Sequence, residues 1–150
     1  MSRHSMLLCG AADSEVYSYS LAGQTWTPHS FMLSKRKRHQ AVLLAGKMFA
    51  LGGTNQCSRT LDTVEVSLAQ RKPHNIHMCP VQYLDLERGG LEWVEAPAML
   101  HRRVSHGAAA LAGFIFVVGG WDGQGVVRSV ERFCPEQGRW EEISTYPDIR

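Results

Sequence analysis

Two stretches of the chain carry the same order of hydrophobic and small residues. Residues 41–53 read AVLLAGKMFALGG and residues 108–120 read AAALAGFIFVVGG, at an offset of 67 positions. In each stretch a hydrophobic run, Ala-Gly, a second hydrophobic run and Gly-Gly follow one another. The Ala-Gly pair is typical of a two-residue turn, because glycine accepts the positive φ that hairpin turns require. The pattern therefore predicts two β-hairpins, with strands at 39–44, 47–51, 106–111 and 114–118.

The second strand of each hairpin is apolar at consecutive rather than alternate positions. Such a run indicates burial on both faces, as in a sheet that lies between two neighbouring sheets. The glycine pairs that follow indicate backbone that passes close to other backbone, where a Cβ atom would clash. We therefore expect the two second strands to lie in the core of a stack of sheets.

The repeat extends beyond the hairpins on both sides. At the same offset of 67, Trp26, Met32, Leu33, Arg36 and His39 recur as Trp93, Met99, Leu100, Arg103 and His106. Phe133 precedes Trp140 by seven residues, as Tyr19 precedes Trp26. The chain is thus predicted to contain three units, each ending in a tryptophan.

The spacing of these tryptophans sets the size of a unit. Trp93 and Trp140 are 47 residues apart, close to the roughly 50 residues of one four-stranded propeller blade. Trp26 and Trp93 are 20 residues further apart than that, and the excess falls between Gly53 and Trp93. The middle unit is therefore predicted to carry an insertion at about 67–80 and a longer turn at 87–91. The remaining strands are predicted at 6–9, 15–20, 24–27, 62–66, 81–86, 91–95, 128–134 and 138–143.

Composition and charge narrow the class of partner. The chain is 44% hydrophobic with a net charge of +2, values of an ordinary folded domain that argue neither for nor against nucleic acid. The longest stretch free of charged residues and histidine, 107–121, is shorter than a membrane span. We expect a protein partner, with neither nucleic acid nor membrane. Four scattered cysteines indicate a reduced, cytoplasmic compartment, and the basic cluster at 35–38 makes a nuclear location the alternative.

Catalytic and metal motifs are not evident. The sequence has no phosphate-binding Gly-rich loop with Lys and Ser/Thr, no nucleophile elbow and no zinc-protease motif, so no enzyme activity and no cofactor are predicted. His74, His77 and Cys79 lie within six residues, and Cys57 could approach them. The second half of a zinc module's spacing is missing, so no metal site is predicted.

The combination of Arg, hydrophobic hairpin, Gly-Gly, Val-Glu-aromatic strand and closing Trp resembles kelch repeats. The best-matching stretch is GGWDGQGVVRSVERFCPEQGRW, at 119–140. The first unit departs from the pattern, with Cys9-Gly10 in place of Gly-Gly. The positions that carry the resemblance are Gly52, Gly53, Gly119, Gly120, the aromatic residues Tyr19 (or Tyr17), Tyr83 and Phe133, and Trp26, Trp93 and Trp140.

The resemblance implies an all-β fold, a partial kelch β-propeller with two complete four-stranded blades and part of a third. The units are placed at 1–28, 29–95 (with the insertion) and 96–150. The tryptophans are then expected to pack between blades. Since a closed propeller needs about four to eight blades, further blades are expected to be required for closure.

The resemblance also implies a protein-interaction role. The expected partner-binding rim comprises Arg36, Arg103, Thr54, Trp121 and Asp122, with the arginines capturing an acidic peptide segment. An equally weighted alternative is that both arginines satisfy neighbouring loop carbonyls. Similar proteins serve as substrate-recognition parts of cullin-type ubiquitin ligase adaptors; an actin-binding scaffold is the alternative, and a copper-oxidase-like enzyme the third.

Overall fold

The computed structural model describes residues 5–9, 14–69 and 91–147, and within these ranges the regular structure is entirely β. None of the described segments is a helix long and apolar enough to cross a membrane. The strands are β1 (Ser5–Cys9), β2 (Glu15–Ser20), β3 (Thr25–Phe31), β4 (Gln40–Leu44), β5 (Lys47–Leu51), β6 (Val64–Ala69), β7 (Leu91–Ala96), β8 (Gly107–Leu111), β9 (Phe114–Val118), β10 (Ser129–Cys134) and β11 (Arg139–Thr145).

The strands form three antiparallel sheets in which neighbours in sequence are neighbours in space. The first blade contains β1–β3, the second β4–β7 and the third β8–β11. Two sheets have four strands and the first has three. The predicted all-β arrangement of two complete blades and part of another is confirmed.

Both predicted hairpins are present with the predicted turns. Ala45 and Gly46 have φ of 49° and 72°, and Ala112 and Gly113 have φ of 51° and 83°. Two consecutive positive φ values match the right-handed twist of the flanking strands.

The second blade differs from the prediction after β5. Strand β6 runs from Val64 to Ala69 and pairs directly with β7, with Ala69 opposite Leu91. The insertion therefore begins after Ala69 rather than at 67, and β6 starts two residues later than predicted. Thr63, which precedes β6, accepts hydrogen bonds from the Arg36 side chain and from the Gly52 N–H.

The predicted strand at 81–86 lies outside the described residues, as do Tyr83 and the metal candidates His74, His77 and Cys79. Without that strand the second blade already has four strands. The residue opposite Trp93 is Ser67, as Phe133 is opposite Trp140 and Tyr19 is opposite Trp26. The aromatic position of this blade is thus occupied by a serine, whose Oγ accepts a hydrogen bond from the Met48 N–H.

The blades pack face to face through their inner strands. At the first junction Val16 and Met32 of the first blade meet Met48, Ala50 and Trp93. At the second junction the apolar face of the second blade meets Ile115, Val117, Phe133 and Trp140 of the third. Strand β5 is buried on both faces, as predicted.

The prediction of burial on both faces fails for β9. Ile115 and Val117 are fully buried, whereas Val118 is 41% exposed. No described element lies against the outer face of the third blade, so only the inner face of β9 is covered.

Two of the three repeat tryptophans pack between blades as predicted. The Nε1–H of Trp93 donates to Ser30 Oγ of the first blade (3.1 Å), and that of Trp140 donates to Pro97 O, which follows the second blade (2.8 Å). Both rings are buried. Trp26 differs, because its ring rests on Tyr19 and is otherwise 47% exposed, with no described blade on its outer side.

Each blade has two distinct ends, since its strands alternate in direction. The end that carries Gly52–Gly53, Gly119–Gly120 and the segments entering β4 and β8 is called the glycine end. The opposite turn end carries the turns at 45–46, 112–113 and 135–138. Because Ala69 and Leu91 lie at the turn end, the insertion leaves the blade on the side away from the glycines.

Candidate interaction surface

Two equivalent loops, residues 52–63 and 119–128, form the glycine end. In the first, Thr54 exchanges backbone hydrogen bonds with Lys37 (2.8 and 2.9 Å); in the second, Trp121 exchanges them with Val104 (3.0 and 2.9 Å). A further bridge joins Thr54 to Thr60 and Trp121 to Val126. These bridges extend each blade beyond its strands, so Thr54 and Trp121 are held on equivalent, fixed backbones.

Gly52, Gly53 and Gly120 are needed because other backbone passes very close to them. A Cβ on Gly52 would lie 2.5 Å from Arg103 O, and one on Gly53 would lie 2.5 Å from Lys37 O. All four glycines have positive φ, between 59° and 95°. The predicted close backbone approach is confirmed, and through Gly52 it joins the second blade to the third.

Side-chain turns stiffen the tip of each loop. Asn55 Oδ1 accepts hydrogen bonds from the N–H groups of Cys57 and Arg59 (3.0 and 2.9 Å). Asp122 Oδ1 accepts from Gln124 and Gly125 (2.7 Å each). These two backbone donors lower the pKa of the Asp122 carboxyl, so that it stays ionised. Asp122 is exposed, and its first role is to shape its own loop.

The two rim arginines predicted to bind a partner are buried inside their own blades. Arg103 is 0% exposed. Its guanidinium donates to Gly119 O (2.7 Å), Ser129 O (3.0 Å) and Ser129 Oγ, and pairs with Glu131 at 2.7 Å. Such a saturated group has no donor left for a partner.

Arg36 repeats this arrangement in the second blade. It is 1% exposed, donates to Gly52 O (2.9 Å) and Thr63 O (3.1 Å), and pairs with Glu65 at 2.5 Å. The assignment of Arg36 and Arg103 to the binding rim is therefore corrected. The alternative, that they satisfy loop carbonyls, describes both sites, because each arginine bonds the carbonyl of the first glycine of its own pair.

Glu65 and Glu131 complete these clusters and were not singled out from the sequence as functional residues. Besides the arginine, each carboxylate accepts hydrogen bonds from two consecutive backbone N–H groups of the segment entering its blade. These donors are Leu33 and Ser34 for Glu65, and Leu100 and His101 for Glu131. The Val-Glu pair at 64–65 and again at 130–131 was the available signal. Each Arg–Glu pair thus fixes the path by which the chain enters a blade.

Two histidines lie side by side just inside the glycine end. The Ser105 N–H donates to Arg38 O, which places the following residues, His39 and His106, in adjacent blades next to one another. Burial, and then the nearby Arg103, lower the pKa of His106 to about 4; burial and Arg36 act in the same way on His39. Both imidazoles are neutral at pH 7, and neither nitrogen of His106 has a hydrogen-bond partner within the described ranges.

A Ser-His-Glu grouping in the third blade does not form a catalytic triad. His101 Nδ1 lies 2.9 Å from Glu131 Oε1 and 3.3 Å from Ser129 Oγ. A triad requires the two ring nitrogens to contact the acid and the nucleophile separately, and here one nitrogen contacts both. Among the described residues, no three His, Cys, Asp or Glu side chains converge as metal ligands.

What the glycine end presents outward is a set of apolar side chains among cations. The exposed apolar residues are Leu33 (58%), Leu100 (54%), Trp121 (45%) and Val126 (62%). Leu33 and Leu100 are equivalent positions of consecutive blades. Thr54 is half-buried beside Lys37. Trp121, Asp122 and Thr54 thus lie at the predicted end of the blades, and the two leucines join them.

Comparisons with known proteins agree with this architecture. The Kelch motif family model matches residues 102–145. Human Kelch domain-containing protein 8B is 30% identical over 142 residues, which cover 89% of this chain and 36% of that protein. Rat Kelch-like protein 7 is 30% identical over 122 residues, covering 81% of this chain and 17% of that protein. The chain thus spans about a third of the length of the first of these relatives and less of the second.

A solved structure shows the same fold at low sequence identity. A fungal alcohol oxidase in complex with copper superimposes with a TM-score of 0.69 at 18% identity, covering 95% of this chain and 30% of that one. At that identity the likeness concerns the fold alone. The second and third blades repeat an Arg–Glu cluster, a glycine pair and an interblade tryptophan. Together with the family match and the relatives, this repeat shows that the chain belongs to the kelch-repeat family, whose members are in general protein-interaction modules.

Proposed function

We propose that the glycine end of the second and third blades binds an acidic segment of a protein partner, as the substrate-recognition part of a cullin-type ubiquitin ligase adaptor. The observation that carries the proposal is the exposed surface of this end, where cations surround four apolar side chains. Rigid loops on a β scaffold are a common location for binding residues.

Several exposed cations lie at this end. Arg36 and Arg103 are neutralised internally by Glu65 and Glu131. The exposed cations there include Lys37, Arg38, Arg59 and Arg102, and Arg102 lies 3.8 Å from Asp62. The field therefore favours the approach of an acidic segment and accelerates its association.

The apolar side chains supply the anchoring contacts. Interface binding energy concentrates in a few large side chains, among which Trp is enriched. Trp121 is backbone-paired on both edges and keeps 45% of its surface exposed, so it needs no rearrangement before binding. Leu100 lies in the segment that enters the same blade. An acidic peptide with one or two hydrophobic residues fits this surface.

The test is selection of peptides from a random displayed library on the 150-residue chain. We expect acidic sequences to be enriched, and their affinity to fall when salt is raised from about 0.1 M to about 1 M, because screening shortens the reach of the charges. Trp121→Ala should weaken a selected peptide about thirtyfold, the scale of a hot-spot residue. Arg102→Glu should weaken it about fivefold.

A matched control is available at the turn end. Arg139 is exposed like Arg102, but it lies at the turn end, where its guanidinium donates to Gln137. Arg139→Glu has the same charge change and should leave the affinity unaltered. Enrichment of neutral or basic peptides, or equal losses for both reversals, would contradict binding at the glycine end.

The adaptor role requires a separate measurement. Co-precipitation of the protein from cells should recover a cullin, and the selected partner should lose ubiquitin modification when Trp121 is replaced by Ala. The similarity to a Kelch-like protein supports this choice of class. We propose a cytoplasmic location, with the nucleus as the alternative, and separation of the two fractions before precipitation tests it.

An actin-binding scaffold is the second candidate, favoured by the exposed cations Lys35, Lys37 and Arg38 on one short segment. An acidic filament surface would contact several such segments at once. Co-sedimentation with actin filaments distinguishes the two candidates, because a peptide-binding adaptor remains in the supernatant. Pelleting that Lys37→Glu abolishes would favour the scaffold.

A further inference from the structure

Ser105 is an exposed serine at the junction of the second and third blades. It lies at the glycine end, directly after Val104, whose backbone exchanges hydrogen bonds with that of Trp121 (2.9 and 3.0 Å). The Ser105 N–H donates to Arg38 O of the second blade (3.3 Å). Ser105 therefore belongs to the surface proposed to bind a partner, next to the residue that pairs with Trp121.

Ser105 and Arg38 are equivalent residues of consecutive blades. They are separated by the repeat offset of 67, and both have a left-handed backbone, with φ of 55° and 53°. Both are exposed. The hydrogen bond between their backbones holds the two positions side by side across the junction. A group added to Ser105 would therefore lie beside the segment that carries Lys37 and Arg38.

An arginine precedes Ser105 at a position that arginine-directed protein kinases recognise. Among all the serines and threonines of the sequence, Ser105 is the one with an arginine, Arg102, three residues before it. Protein kinases select their substrates through charge patterns of this kind. The sequence around Ser105 therefore fits the substrate pattern of an arginine-directed serine kinase.

The fold keeps the two residues of this pattern on the outside. Arg102 and Ser105 are exposed. Between them, Arg103 is 0% and Val104 6% exposed. Arg103 is also paired with Glu131 inside the blade, so an enzyme cannot reach it while the chain is folded. The folded surface thus presents an arginine three residues before the serine, and not the one that lies two residues before it.

We propose that Ser105 is a phosphorylation site for a kinase that requires arginine three residues before the acceptor, and that its phosphate weakens binding at the glycine end. The kinase transfers the γ-phosphoryl group of ATP to Ser105 Oγ, with release of ADP and of the hydroxyl proton. The effect on binding rests on the proposed function, whereas the modification itself does not.

Charge is the reason that the phosphate opposes binding. A phosphoserine carries about −1.5 to −2 charges at pH 7 and three acceptor oxygens. Beside Arg38 it forms a charge-assisted pair, so this cation no longer attracts a partner. The remaining negative charge repels an acidic segment. Phosphorylation therefore acts against the attraction on which the proposed binding depends.

The first test is phosphate incorporation into the folded 150-residue chain by an arginine-directed kinase and ATP, located by peptide mass spectrometry. We expect phosphate at Ser105, and its loss in both Ser105→Ala and Arg102→Ala. Ser58→Ala is the matched control and should keep the phosphate. Ser58 is likewise exposed at the glycine end with a positive φ (59°), but Asn55 lies three residues before it.

The second test is the affinity of a selected acidic peptide, measured by fluorescence anisotropy. Phosphorylation of the chain should weaken binding about tenfold, because an attractive charge is replaced by a repulsive one. Phosphatase treatment should restore the affinity. Ser105→Glu should weaken binding about threefold, since it adds a single charge. Ser105→Gln, which has the same size without the charge, should leave the affinity unaltered.

A folded chain that takes up no phosphate at Ser105, or takes it up only after denaturation, overturns the proposed site. Phosphate at Ser105 that leaves the peptide affinity unchanged overturns the regulation. The proposed function fails in a different way, when the wild-type chain selects no acidic peptide. Incorporation at Ser105 that depends on Arg102 would support the modification site even then.

Discussion

At the scale of single residues, the Arg–Glu clusters organise the glycine end without touching a partner. Arg103 and Glu131 are both 0% exposed in their side chains, and together they bind two carbonyls, a hydroxyl and two backbone N–H groups. A buried charge of either sign is tolerable only when its partner and hydrogen bonds are in place. The segment that enters a blade is therefore held in place only when both members of its Arg–Glu pair are present.

Replacement of Arg103 tests this role against its neighbour in sequence. Arg103→Ala should reduce the free energy of unfolding by about 3–5 kcal/mol, because it leaves Glu131 buried without its cation. The Arg102 side chain is 47% exposed and lies 3.8 Å from Asp62. Arg102→Ala should therefore reduce the free energy of unfolding by less than about 1 kcal/mol. The free energies of unfolding of both variants are measured in urea. Equal losses would show that Arg103 does not hold the segment that enters the blade.

Acid should destabilise the fold through His39 and His106. The folded pKa of each is about 4, below the 6.5 of the free imidazole, so the unfolded chain binds more protons between these values. Stability is then complete above pH 6.5 and falls as the pH drops towards 4, by about 3 kcal/mol for His106. Arg103 and His39 reinforce the shift of His106, and Glu131 opposes it.

Denaturant midpoints measured from pH 7 to pH 4 test this dependence. His106→Gln removes the titrating group and should flatten the pH profile even where it lowers stability overall. A profile of unchanged slope in that variant would assign the acid sensitivity to other groups.

At the scale of elements, the loops of the glycine end are rigid because they continue the sheets. The Gly53 N–H donates to Arg103 O (2.8 Å), and the Arg103 N–H donates to Leu61 O (3.0 Å), so the second blade's loop is bonded to the segment that enters the third. A partner that contacts Trp121 and Leu100 therefore meets a surface fixed by the blade junction.

Gly52 should be irreplaceable at this junction. Its φ is 59° and a Cβ would lie 2.5 Å from Arg103 O, whereas Gly113 has φ of 83° and nothing within 4 Å of a Cβ. Gly113→Ala should cost about 1–2 kcal/mol, the backbone strain alone. Gly52→Ala should cost the same strain and at least about 2 kcal/mol more, because the backbone at residue 52 must move away from the backbone at Arg103. Thermal unfolding of the two variants gives the difference, and similar losses would argue against the close approach.

At the scale of the whole molecule, the glycine end and the turn end of the blades differ. The glycine end is formed by repeated loops of the second and third blades. The insertion between β6 and β7 begins and ends at the turn end, where Ala69 and Leu91 face each other. Because both attachment points are at the turn end, we expect replacement of the insertion to leave the glycine end intact.

Replacing residues 70–90 with the turn PEQG of residues 135–138 tests this separation. Those four residues join β10 to β11 at the equivalent place, so they should close β6 and β7 without strain. Shortening the loop should raise the free energy of unfolding by about 1 kcal/mol, because closing a short loop costs less entropy. Peptide affinity at the glycine end should stay the same, as measured by fluorescence anisotropy. Loss of cooperative unfolding would mean that the insertion contributes to the core.

Much of the fold could be predicted from local patterns. The hairpins follow from Ala-Gly between apolar runs, and the strand ends of β5, β9 and β2 fall where predicted because turn chemistry fixes them locally. Strand β6 starts two residues later than predicted and extends to Ala69, since its pairing partner β7 lies beyond the insertion and is not set by local sequence. The sequence placed Arg36 and Arg103 correctly at the glycine end but could not decide whether they point outward.

The sequence by itself determined the number of repeats, the all-β class and the positions where glycine and tryptophan are required, because these depend on local φ preferences and on side-chain size repeated at a fixed offset. Only the tertiary structure decided the roles. It buried Arg36 and Arg103 against Glu65 and Glu131, left Trp26 and Leu100 exposed, and put Ala69 and Leu91, which flank the insertion, at the turn end. The physical reason is that burial and hydrogen-bond saturation depend on which distant strands surround a side chain, and no single stretch of sequence contains that information.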